Sequence, residues 1–168
     1  MKKLSAGLLV YRKNGDSIEV LIAHMGSPWW AKKDKGAWTI PKGEYLEGDD
    51  PLVNAKREFS EELGKEPPEG ELIELGTVDQ SNNKTVIVWA VEADIDIRDI
   101  KSNTVEIEWP PHSGKMQEFP EIDRAAWFNL SVAAEKLIPA QNEFLLRLAK
   151  KLNVEISDKP GMAQASLF

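Results

Sequence analysis

The chain has no cysteine in 168 residues. A disulfide framework, thiol chemistry and cysteine-ligated zinc are therefore excluded. No apolar run approaches the length needed to span a bilayer. Lys2 and Lys3 precede only a short apolar stretch, Leu4–Val10, with no cleavage pattern, so a cytoplasmic protein without a signal peptide is expected. Basic side chains are outnumbered: 21 Lys and Arg against 28 Asp and Glu give a formal net charge of −7. That balance leaves no broad basic footprint for extended nucleic-acid binding. Histidine is scarce as well, and His24 and His112 have no partner identifiable in the sequence, so both are expected to be satisfied or exposed. No internal repeat is present. With 42% hydrophobic residues the chain suits one globular domain, expected over 1–153, followed by a flexible tail over 154–168.

What the chain does have is a concentration of acid in Gly43–Lys65, GEYLEGDDPLVNAKREFSEELGK. Glu58, Glu61 and Glu62 follow the i, i+3, i+4 spacing that puts side chains on one face of a helix. Three like charges at that separation repel, and each gains from a shared divalent cation. A hard, oxygen-liganded ion such as Mg²⁺ or Mn²⁺ suits them, and the natural ligand of such an ion is a phosphate chain. Asp50 before Pro51 forms an N-cap and first-turn pair, and Gly64 can end the helix as a left-handed residue. Leu52, Ala55, Phe59 and Leu63 make an apolar stripe about 110° from the acidic face. The carboxylates are thus expected at the solvent-accessible rim of a groove. Arg57 lies four residues before Glu61 and can also reach Asp49, bracing the preceding loop against the helix.

The same segment resembles the signature of the Nudix hydrolases, G-x5-E-x7-R-E-U-x-E-E-x-G-U with U a bulky apolar residue. Gly43, Arg57, Glu58, Phe59, Glu61, Glu62 and Gly64 fall in register, while Asp49 replaces a Glu and Lys65 an apolar residue. Six of the seven fixed letters match, which chance gives on the order of 10⁻⁷ times per starting position. The resemblance implies an α/β fold, a Nudix-type α/β/α sandwich with a mixed sheet. It implies that Glu58, Glu61 and Glu62, with the Gly43 carbonyl, hold divalent ions. It also implies a further carboxylate near the last strand, for which Glu121 is the match and Glu118 the second choice. Isoprenoid diphosphate isomerases share the fold but rely on a cysteine, and this chain has none.

Along the chain, Ser5–Arg12 and Ile18–His24 read as strands around a turn at Asn14–Asp16, apolar enough for a sheet covered on both faces. Met25–Gly36 reads as a polar loop and Ala37–Ile40 as a short strand. Leu72–Val78 and Thr85–Ala93 are strands about an Asn82–Asn83 turn, with a weaker strand at Val105–Trp109 and another at Ala125–Asn129. Ser131 is expected to cap a short helix, and Pro139–Leu152 to form a longer one.

Lys42, next to Gly43, is placed to meet the phosphates, and Lys33 or Lys35, from a cluster that includes Lys32, to meet a distal one. Of six tryptophans, Trp29, Trp30 and Trp109 are candidates to stack on a nucleobase, and Trp127 for the core. The C-terminal Gln164–Phe168, QASLF, resembles a peptide that docks on the replication sliding clamp. The expected activity is metal-dependent hydrolysis of a phosphoanhydride in a nucleoside diphosphate linked to another group. Glu58 or Glu121 would act as general base, and Arg57 and Glu61 belong to the catalytic set. The approach Trp38–Gly43, WTIPKG, resembles diadenosine polyphosphate hydrolases, which favours dinucleoside polyphosphates. Trp109–Pro111 and Phe119–Asp123 resemble predicted nucleoside-triphosphate pyrophosphohydrolases, which keeps house-cleaning of damaged nucleotides as the alternative. RNA 5′ ends rank third. A ligand-sensing or binding module without turnover is the reading from another class.

Overall fold

The computed structural model describes residues 2–156. The long first strand, β1 (Lys3–Asn14), and β2 (Ser17–Met25) form an antiparallel hairpin, but they pair only near its turn, from Tyr11–Val20 to Asn14–Ser17. Beyond that point the two strands part and a second pair fills the opening. There β3 (Trp38–Thr39) takes the edge of β2 at Ala23–His24, and β4 (Lys42–Tyr45) takes β1 at Leu4–Gly7. The far edge of β1 pairs in parallel with β6 (Lys84–Glu92), which pairs antiparallel with β5 (Leu72–Ser81). The far edge of β2 carries β9 (Ile122–Asn129). The result is one mixed seven-stranded sheet, with a separate hairpin of β7 (Thr104–Glu108) and β8 (Met116–Pro120).

Both faces of the sheet are covered, as the uninterrupted burial from Ser5 to Tyr11 requires. On one face lies α1 (Pro51–Leu63), whose Phe59 and Leu63 pack with Leu8, Val10, Leu21 and Trp127. On the other lie α2 (Leu130–Lys136) and α3 (Asn142–Leu152), whose Phe144, Leu145 and Leu148 pack with Leu9, Ile22 and Val88. This is the expected α/β/α sandwich. Each fully buried Phe or Leu contributes about 1.5–3 kcal/mol of apolar transfer. No helix among the described residues is long and apolar enough to cross a membrane.

The ends of α1 match their sequence signals. The Asp50 side chain accepts from the Leu52 N–H, Pro51 opens the first turn, and Gly64 closes the helix at φ 66°. Elsewhere local signals are overridden. The cap of α2 is Asn129, whose side chain accepts from the Val132 N–H, and not Ser131. Asn129 ends β9, paired with Glu19, so the helix begins at the next residue. Pro139–Gln141 is a 3₁₀ turn, and the long helix starts only at Asn142. Val154 and Ile156 pack against the core, so packed chain continues past Asn153. The candidate clamp peptide Gln164–Phe168 lies outside the described residues.

Gly64 serves a second purpose. A Cβ there would lie 2.6 Å from the Lys101 carbonyl oxygen, because the chain at Lys101–Asn103 donates its amides to the last carbonyls of α1, Leu63 and Glu61. Gly64→Ala is therefore expected to cost more than about 1 kcal/mol, read as a lowered urea midpoint at unchanged slope.

Candidate functional site

Each glutamate of α1 has a different depth. Glu62 is 4% exposed, the Glu58 side chain 13% and the Glu61 side chain 38%. The order follows helix geometry: at 100° per residue the three lie roughly 65°, 105° and 165° from the apolar stripe. The acidic face as a whole sits where the sequence implies, but Glu62 falls at the edge of the packed stripe and is buried rather than rimming the groove.

A set of hydrogen bonds fastens β4 to this helix. The Lys42 N–H donates to Glu62 Oε1 at 3.2 Å, and Asn54 Nδ2 donates to the Gly43 carbonyl at 3.2 Å. Arg57 donates to Asn54 Oδ1 and, at 2.8 Å, to Glu61 Oε1. The brace expected between Arg57 and Asp49 thus runs through Asn54. Asp49 instead accepts from the Leu46 N–H within its own loop and acts on Arg57 only through space. A Cβ on Gly43 would fall on the Glu58 carboxylate, which explains a glycine at the contact.

Glu121 reaches the same cleft from the junction between β8 and β9. Its N–H donates to the Asn103 carbonyl, and its carbonyl accepts from the Gly26 N–H. With its amide turned to satisfy its neighbours, Asn103 donates to Glu121 Oε2 at 3.2 Å and to the Glu61 carbonyl at 3.3 Å. The open cleft, about 870 Å³, is lined by Glu58, Glu62 and Glu121 together with Lys42, Lys84 and Ser5.

Burial raises the Glu58, Glu62 and Glu121 carboxyls above the ordinary glutamate value, and neighbouring carboxylates add to the rise. For Glu62 burial outweighs the opposing pull of the Lys42 ammonium. The Lys42 ammonium is pushed below the lysine range, first by burial and next by Lys84. Among the described residues no three acidic or histidine side chains already close around one point, and Glu61 is engaged by Arg57. The donor set nevertheless fits a hard divalent cation. It is all oxygen, carries repelling carboxylates, and includes the Gly43 carbonyl, which Asn54 holds in place. Glu58, Glu62, Glu121 and that carbonyl would hold it. Such an ion neutralises phosphate oxygens and acidifies a water.

Other predicted residues lie elsewhere. Lys33 and Lys35 are exposed and do not line the cleft, and Lys33 Nζ sits 5.2 Å from the Trp30 ring. Trp30 packs against the core, while Trp29 and Trp109 meet edge to face with centroids 5.3 Å apart, also outside the cleft lining. His24 is buried between Asp123 and the Lys33 carbonyl. Sequence reasoning missed Asn54, Asn103, Lys84 and Ser5. Only Asn54, on the helix and three residues before Arg57, carried a local signal.

The family model described as NUDIX domain matches residues 1–148. The chain belongs to the NUDIX domain family. Similar solved structures include a *C. elegans* Ap4A hydrolase binary complex, 21% identical, TM-score 0.58, covering 90% of this chain and 98% of that one. The NUDIX domain of *Shewanella oneidensis* NrtR complexed with ADP ribose is 14% identical, TM-score 0.62, covering 90% and 89%. A MutT protein from *Methanosarcina mazei* Go1 is 19% identical, TM-score 0.58, covering 90% and 95%.

The raised Glu62 carboxyl has a sign that can be measured. The folded, metal-free protein keeps its proton over a pH range in which the unfolded chain has lost it. Stability therefore falls as pH rises through and above the ordinary carboxylate range. Glu62→Gln removes that penalty and should stabilise the chelated protein at neutral pH by on the order of 1–2 kcal/mol. Added Mg²⁺ or Mn²⁺ should raise the melting temperature of wild type and much less that of the variant. A variant that melts lower than wild type in chelator would contradict this account.

Proposed function

We propose that this NUDIX protein hydrolyses a phosphoanhydride in a nucleoside diphosphate linked to another group, with dinucleoside polyphosphates as the favoured substrates and Mg²⁺ or Mn²⁺ as the ion. The observation that carries the reading is a single open cleft with Glu58, Glu62 and Glu121 and, beside them, Lys42 and Lys84. Carboxylates alone would repel a phosphate chain, and lysines alone would bind any anion. Together they match a chain whose charge is shared between a divalent cation and ammonium groups.

The residues divide the work. Glu62 anchors the Lys42 backbone and offers its second oxygen to the ion. Glu58 and Glu121 face the cleft with carboxyls raised by burial, which brings either nearer to the protonation range useful to a base at neutral pH. Arg57 does not line the cleft, and it positions Asn54 and Glu61. The Lys42 ammonium opposes charge that builds on the phosphate oxygens.

A panel of dinucleoside polyphosphates, nucleoside triphosphates and ADP-ribose, assayed with and without Mg²⁺, tests the reading. Wild type should release nucleotide from the dinucleoside polyphosphates only with metal, and Glu58→Gln should lower kcat about 10²–10⁴-fold. Turnover confined to nucleoside triphosphates would assign the house-cleaning alternative. Tight nucleotide binding with no turnover of any substrate would make the protein a binding module.

A further inference from the structure

Glu58 and Glu62 keep a fixed spacing because they share a helix, but Glu121 comes from another part of the chain. It stands between the last residue of β8 and the first of β9, and neither ladder includes it. Ser102 and Asn103 hold it instead. The Glu121 N–H donates to the Asn103 carbonyl at 3.0 Å, and the Ile122 N–H donates to Ser102 Oγ at 3.1 Å. On the other side the Gly26 N–H donates to the Glu121 carbonyl at 2.8 Å. A Cβ on Gly26 would lie 2.4 Å from the Pro120 carbonyl oxygen, so only glycine allows that approach.

The same short segment is tied to the carboxyl end of α1. The Lys101 N–H donates to the Leu63 carbonyl at 3.0 Å and the Asn103 N–H to the Glu61 carbonyl at 2.8 Å. Main-chain bonds of Asn103 thus join α1 on one side to Glu121 on the other. Its side chain repeats the link, with Nδ2 donating to the Glu61 carbonyl at 3.3 Å and to Glu121 Oε2 at 3.2 Å. Both partners are acceptors, so the position calls for paired donor hydrogens on one atom, which an amide has and a carboxylate lacks. Asn103 is itself exposed and does not line the cleft. It acts on the site through Glu121.

We propose that Asn103 is a positioning residue, whose amide orients the Glu121 carboxylate so that it serves the same ion and attacking water as Glu58 and Glu62. The inference rests on the phosphoanhydride reading above. Helix geometry fixes two of the carboxylates, and Asn103 sets the third relative to them.

A double-mutant cycle tests it, with Mn²⁺ affinity by calorimetry and kcat on a dinucleoside polyphosphate as its readouts. Asn103→Ala should weaken Mn²⁺ binding and lower kcat by about tenfold each, with KM within about twofold. The main-chain ties survive this substitution, so melting in chelator should shift by less than about 3 °C. In a Glu121→Ala background the same change should alter Mn²⁺ affinity and kcat by less than about twofold, because no carboxylate remains to be oriented. A merely structural asparagine would cause equal losses in both backgrounds, and that result overturns the proposal. So does an Asn103→Ala protein with wild-type Mn²⁺ affinity and kcat, and either outcome leaves the phosphoanhydride reading standing. Wild type that binds Mn²⁺ but cleaves no phosphoanhydride overturns that reading, and the affinity cycle then decides on Asn103 alone. Wild type that does not bind Mn²⁺ overturns both.

Discussion

The attachment of one short strand to one helix governs the site. Lys42 donates its amide to Glu62, and Asn54 holds the Gly43 carbonyl. These two bonds decide where a lysine side chain, a backbone carbonyl and two carboxylates meet. They are possible only because Gly43 has no side chain at the place where the Glu58 carboxylate rests. Arg57 tightens the arrangement from outside by holding Asn54 and Glu61 together. Around this clasp the larger packing is conventional: an apolar stripe on α1 against one face of a sheet and two helices against the other. Because β4 fills the gap where β1 and β2 part, the clasp also determines how far the sheet opens.

The clasp sets chemistry against stability. Glu62 is deep because it lies at the edge of the same stripe that packs Phe59 and Leu63. Burial that holds its carboxylate in place also makes its charge unfavourable without a cation. The buried Ser5 hydroxyl, which lines the cleft without a hydrogen-bond partner among the described residues, is a second such concession. Both follow the general pattern in which local rules are broken at functional sites and the rest of the fold compensates.

Local signals were legible and nonlocal ones were not. Asp50, Pro51 and Gly64 state the limits of α1 in three residues, because caps depend on the adjacent turn alone. Glu58, Glu62 and Glu121 are readable as a group because spacing and a family signature name them. Strand β4, with the sequence KGEY, has no alternating apolar pattern, since its place comes from the opening between two other strands. Lys33 and Lys35 look no different in sequence from Lys42 or Lys84. Only the register of β6 on β1 turns Lys84 toward the cleft and leaves the other two in solvent. Asn129 displaces Ser131 as a cap for a similar reason: the length of β9, set by pairing with β2, fixes where the next helix can begin.

The parallel seam between β1 and β6 also shapes how the protein comes into being. The first strand sits at the centre of the sheet, yet its neighbour begins at Lys84 and its hairpin mate is flanked by residues as late as Asn129. A chain leaving the ribosome must therefore keep β1 unpaired along one side until β6 has been made. The cleft draws on residues from Ser5 to Ile122, so it cannot be assembled before the chain through Ile122 has been made.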